Sequence, residues 1–210
     1  MQNEERQNLE AITSAGPIDS VTMEPSETQI ERLSTLLQKG CFVKVRIGCS
    51  MRELLCDQFD ISPEYVKQDI KVLFLDFSPV DDIDTAIIKD GSIVALSAAM
   101  PGLVGAAMRK DGLSWMRSSI TYHEDAAEQG PREGLVHIKL FNQVMADLGE
   151  TFLRRGVYVK SGFLAGFLER FGEDFPKEFK RITRNGEVMT WRSLLESLHD
   201  RDAWVRLSIG

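Results

Sequence analysis

Residues 41–47, CFVKVRI, constrain the fold most. Cys41, Val43, Val45 and Ile47 alternate with Phe42, Lys44 and Arg46, the period of a strand with one buried face. Ser50 to Glu53 then reads S-M-R-E, a capping-box spacing ahead of Leu54 and Leu55. The hydrophobic period thus changes from strand to helix within a few residues. KVLFLDF, 71–77, is apolar on both faces, as a central strand is, and SIVAL follows after a polar connection. A chain that switches period this often must pack helices on a sheet, so the fold class is α+β.

The rest of the chain extends this reading. Residues 1–25 are acidic, broken by Gly16-Pro17 and Pro25, and read as a mobile arm. Ser26 to Gln29, S-E-T-Q, has capping-box spacing before Ile30, Leu33, Leu36 and Leu37, and Gly40 stops that stripe. Ser62-Pro63 opens a short helix with Pro at its favoured first position. Residues 98–121 have weak periodicity, and 122–134, YHEDAAEQGPREG, are charged and hold Gly130-Pro131, which marks a linker. Phe141, Val144, Met145, Leu148 and Phe152 form a helical stripe within 135–155, although its first residues, LVHIKLF, also alternate as a strand does. Beyond Gly156, VYV reads as a strand, Ser161 as the cap of GFLAGFLERF, and Asn185-Gly186 as a hairpin turn. Thr190 caps WRSLLESL, and AWVRLSI alternates Val205, Leu207 and Ile209 with Trp204, Arg206 and Ser208. The predicted organisation is an arm at 1–25, a domain at 26–121, a linker at 122–134 and a mixed α/β module at 135–210.

Composition excludes several functions. Lys plus Arg number 25 and Asp plus Glu 32, a formal net charge of -7. An acidic chain repels phosphate backbones, and the nearest basic group, Lys177, Lys180, Arg181 and Arg184, reads as a solvated face, so no nucleic acid is expected. No apolar run approaches the length of a membrane span, and the N-terminus lacks the basic and apolar regions of a signal peptide, so the expected location is cytoplasmic, off the membrane. Cys41, Cys49 and Cys56 are odd in number and loosely spaced, which fits a reducing compartment and fails zinc spacing. Cys41 and Cys56 occupy apolar positions, whereas Cys49 precedes a cap and is the more exposed expectation.

The order strand, capped helix, central strand, polar loop, Asp90-Gly91 and last strand resembles that of β-grasp, ubiquitin-like domains. KVLFLDFSPVDDIDTAIIKDGSIVALSAAMPGLVG looks like the second half of the small sulfur carriers. The resemblance covers about residues 41–105 and implies a β-grasp-like domain followed by the α/β module. In that family the last strand runs into Pro and small residues that end in Gly-Gly. Met100, Pro101, Gly102 and Gly105 sit where that tail would begin, which makes them the candidate binding residues. No Gly-Gly pair is present, and the chain continues to Gly210. The small residues at 98–107 therefore read first as a tight crossover between subdomains and otherwise as a docking tail.

Motifs of common chemistry are missing. There is no GxGxxG after a strand, no GxxxxGK[ST], no HExxH and no GxSxG. His123, His137 and His199 have no ligand spacing, and Asp81, Asp82 and Asp84 lack the Gly and distal Glu of a calcium loop. No metal, no cofactor and no catalytic residue are expected. The expected function is non-catalytic binding of a partner protein. The alternatives are a sulfur-carrier-related protein cleaved near Gly102 or Gly105, or an enzyme with Cys49 or His123 as its reactive group in a cleft between the halves.

Overall fold

The computed structural model describes residues 2–99, 108, 131–172, 175, 179–198, 200 and 202–210. It is mixed α and β. The elements run α1 Gln2–Ser14, β1 Asp19–Glu24, α2 Glu27–Ser34, β2 Cys41–Ile47, α3 Pro63–Gln68, β3 Val72–Leu75, β4 Ser78–Pro79 and β5 Ile93–Ser97. They continue with β6 Arg132–Phe141, α4 Asn142–Arg155, β7 Val157–Lys160, α5 Ser161–Glu169, β8 Arg181–Arg184, β9 Glu187–Val188, α6 Trp191–Ser197 and β10 Trp204–Ile209. Two compact units result: a first unit of residues 1–36 and 148–210, and a second of residues 37–147. The boundaries read from composition differ from these, because strand pairing joins segments that are far apart in sequence.

In the first unit the strand order is β7-β10-β1-β8-β9. The end of the expected N-terminal arm, Asp19–Glu24, is the middle strand of this order, with Val21 beside Leu207 in parallel and beside Arg184 in antiparallel register. Val21 and Met23 are fully buried. The period-two signal was present, Val21 and Met23 between Ser20, Thr22 and Glu24, but the flanking prolines and acids masked it. Asp19 anchors the strand. Its carboxylate accepts from Asn185 Nδ2 at 2.7 Å and from the Arg184 guanidinium, and these bonds hold its pKa below the usual range. Arg184 also donates to the Ser197 carbonyl at the end of α6, so it serves the fold and not a basic patch.

Local capping follows the sequence in part. Asn185 and Gly186 both have positive φ, 52° and 84°, as the β8–β9 hairpin requires. Thr190 accepts from the Ser193 N–H at 3.1 Å and caps α6. Ser26 makes no side-chain cap bond, because Gln29, its expected partner, is buried and donates to the Phe175 carbonyl at 3.1 Å. Ser161 is the buried first residue of α5, whose N-cap is Lys160. Helix α5 packs on β7 and α6. It also begins a column of phenylalanines four residues apart. The ring centroids of Phe163, Phe167, Phe171, Phe175 and Phe179 are separated in turn by 6.3, 5.0, 4.2 and 5.2 Å. Trp191 of α6 completes the cluster, 5.5 Å from Phe175.

In the second unit the strand order is β4-β3-β5-β6-β2. LVHIKLF takes its strand option: β6 pairs antiparallel with β2 and parallel with β5, and the helix starts only at Asn142. The expected linker and module therefore supply the strand between β5 and β2. Ser50 and Glu53 form the expected capping box, Glu53 N donating to Ser50 Oγ at 3.2 Å and Ser50 N to Glu53 Oε2 at 2.7 Å. The Glu53–Gln58 turns that follow are π-helical. Gly91 has φ 79°, as the Asp90-Gly91 turn requires, and its N–H donates to the Leu135 carbonyl at 2.8 Å. Asp90 Oδ1 accepts from Leu135 N at 2.9 Å, so the turn is held by β6.

KVLFLDF is shorter as a strand than expected. It turns at Asp76 and Phe77, both with positive φ, 49° and 70°, a conformation that Asp visits readily and that is strained for Phe77. Long-range bonds impose it: Asp76 accepts from Ile93 N at 2.7 Å and from Ser92 Oγ at 3.2 Å. Burial pushes the Asp76 carboxyl above the ordinary carboxylate range. The folded pKa is raised, so folding favours the neutral form over the charged one. Its contribution is full below about pH 4 and is lost as pH rises through the elevated value. Asp76→Asn keeps the shape, removes the buried charge and tolerates positive φ. Urea titrations across pH should show equal stability near pH 4 and below, and a growing advantage of the variant above it. A variant less stable at neutral pH would show that the charge strengthens this turn.

Candidate functional site

The first unit's sheet has two different faces. Val21, Met23, Val157, Val159, Ile182, Val205, Leu207 and Ile209 are buried on one face. The intervening residues Ser20, Thr22, Glu24, Tyr158, Lys160, Thr183, Trp204 and Arg206 are half-buried, Ser208 among them is buried, and Val188 is 65% exposed. Alternation along each strand produces this division, since successive side chains point to opposite sides. Such a sheet packs one face on the core and turns the other outward.

Strand register gives the outward face its pattern. Tyr158 lies opposite Arg206, and Lys160 opposite Trp204, on β7 and β10. The four form a block in which cations and aromatics alternate in both directions. Lys160 Nζ lies 5.9 Å from the Trp204 ring centroid, within cation–π range. Arg206 is positioned by the backbone: its Nη2 donates to the Arg155 carbonyl at 2.7 Å, and its guanidinium lies where a Cβ on Gly156 would be. Gly156, with φ 91°, thus ends α4 and seats Arg206 at once. Toward the centre, Thr22 Oγ1 and Ser208 Oγ are 3.1 Å apart, and Thr183 is in register with Thr22. Glu24 and Arg181 are paired in register at the far end. This surface combines large amphipathic rings, cations and hydroxyls.

The residues singled out from the sequence lie elsewhere. Met100, Pro101, Gly102, Gly105, His123, Lys177 and His199 lie outside the described residues. The thiols are free but held protonated: burial raises Cys41, Cys49 and Cys56, with Glu53 adding to the effect at Cys49. A thiol nucleophile needs the opposite. Cys49 is buried, against expectation, and Cys56 only half-buried. Cys49 Sγ donates to the Arg46 carbonyl at 3.1 Å and receives Gln58 Nε2 at 3.3 Å. His137 is buried in the second unit, stacked on Phe42 with centroids 4.7 Å apart, and Gly40 leaves room for its imidazole. Asp84 pairs with Arg52, and Asp82 accepts from Asp84 N at 2.9 Å, as in a turn. Among the described residues, no group of three or more His, Cys, Asp or Glu could hold a metal ion. Among them also, no helix is long and apolar enough to cross a membrane.

Sequence reading recognised a strand in VYV and the alternation in AWVRLSI but did not join the two. Tyr158 and Arg206 are distant in sequence, and only the β7–β10 register places them side by side. No family of known proteins, no curated protein and no solved structure matches this chain.

Proposed function

We propose that this chain is a non-catalytic binding protein that docks a partner protein on the outward face of the first unit's sheet. The observation that carries the reading is the Tyr158, Lys160, Trp204 and Arg206 block. Trp, Tyr and Arg dominate the energetics of protein interfaces, because they bury much area while keeping a polar handle. The half-buried hydroxyls of Thr22 and Thr183 supply neutral donors and acceptors beside it, Thr22 being seated by the buried Ser208 hydroxyl. The thiols raised by burial favour binding over covalent catalysis. The same reading assigns the protein no cofactor and places it in the reducing cytoplasm, where three unpaired thiols are at home. The β-grasp likeness of 26–121 enters through its order of elements, strand, helix, strand, turn, strand. Its sheet is completed by β6, from beyond residue 121.

The test is capture of partners from native cells by the tagged full chain, compared with Tyr158→Ala and Thr183→Arg. Loss of an anchor aromatic at an interface centre costs about 2 kcal/mol, close to thirtyfold in affinity. Recovery of the partner should fall accordingly while the melting temperature stays level. A partner recovered equally by both variants, or a covalent intermediate trapped on Cys49, would refute the proposal.

A further inference from the structure

Resting on the reading of this face as a docking surface, we infer that the partner presents an extended acidic segment, two carboxylates one residue apart, to Lys160 and Arg206. The whole chain carries a formal net charge of -7, yet this block holds two cations and no acid. Neither Lys160 nor Arg206 has a carboxylate partner among the described residues. Arg206 spends one N–H on the Arg155 carbonyl, which fixes the guanidinium without neutralising it. Glu24 lies two strands from β7, in register with Arg181. The rings of Tyr158 and Trp204 alternate with the cations, so a docked carboxylate is flanked by apolar surface and shielded from water.

Spacing sets the pattern of the segment. Lys160 and Arg206 stand on adjacent strands about 4.8 Å apart and one side-chain repeat, about 6.7 Å, along them, which gives a diagonal of about 8 Å. Residues i and i+2 of an extended peptide lie about 6.7 Å apart on one side, within reach of both flexible cations. A nucleic acid would bring a long run of phosphates within a Debye length of the surrounding acidic chain. A short acidic peptide meets the local field alone.

The test uses fluorescence anisotropy with the full chain and three labelled probes. These are a Gly-Ser-flanked peptide with two glutamates separated by one threonine, its twin with two glutamines, and an oligothymidylate of similar length. The glutamate peptide should bind at least about tenfold more tightly than its twin, lose that preference in Lys160→Gln, and weaken as salt rises. Absence of binding, equal affinity for the glutamine twin, or tighter binding of the oligothymidylate would overturn the inference. Partner capture that is sensitive to Tyr158→Ala would then still stand, so failure of the acidic pattern is separable from failure of the docking surface. Lys160→Arg, which keeps the charge, should retain the preference. Its loss there as well would mean that Lys160 acts through packing and not charge.

Discussion

Val21→Asp is expected to abolish cooperative unfolding of the first unit. Val21 is fully buried in β1, with β10 on one side and β8 on the other. A carboxylate there is cut off from water, and the cation opposite it, Arg184, is already held by Asp19 and the Ser197 carbonyl; left unpaired it costs about 3–5 kcal/mol. Domain stability is about 5–15 kcal/mol, so a large share of it is lost at one position. Thr22→Asp, one residue on, reaches the outward face and should cost less than about 1.5 kcal/mol. Urea unfolding followed by circular dichroism distinguishes the pair. Two variants that both melt like the parent chain would return residues 1–25 to the status of a dispensable arm.

Phe175→Ala is the second large effect. Phe175 is 1% exposed and touches Phe171, Phe179 and Trp191, while its carbonyl receives the buried Gln29 amide. Truncating a buried Phe costs about 3–5 kcal/mol, because the lost transfer energy is joined by the cavity left behind. Phe163, half-buried at the start of the column, should cost clearly less when cut to Ala. Calorimetry of both variants checks this order, and equal small losses would mean that the column is surface decoration.

Local signals were legible in the sequence and long-range ones were not. Asn185-Gly186, Asp90-Gly91, Thr190 and the Ser50–Glu53 box are fixed by residues within a few positions of each other, and they formed as read. Gln29 failed as a capping partner because the demand of the core outweighed a surface bond. The turn at Asp76 and Phe77 was invisible because its cause, the Ile93 N–H and the Ser92 hydroxyl, lies on another strand. The same reasoning explains β1 and β6. Each was assigned by its immediate flanks, acidic and proline-rich for one, helical for the other, while its actual partners are far along the chain. Phenylalanines at intervals of four from Phe163 to Phe179 were a signal available in the sequence and left unread. The candidate binding block was only half legible. Trp204 and Arg206 could be placed on one side of their strand, but Tyr158 and Lys160 could not, and nothing short of the β7–β10 register makes one surface of the four.

Radical footprinting of the partner complex tests the central claim most directly. Tyr158 and Trp204 are half-buried aromatics on the outward face, and Trp191 is an internal reference in the aromatic cluster of the same unit. Oxidation of each is read by mass spectrometry in the free chain and in the complex captured from native cells. The account predicts strong protection of Tyr158 and Trp204 on binding, with Trp191 unchanged. Unaltered oxidation of Tyr158 and Trp204 in a saturated complex would contradict it.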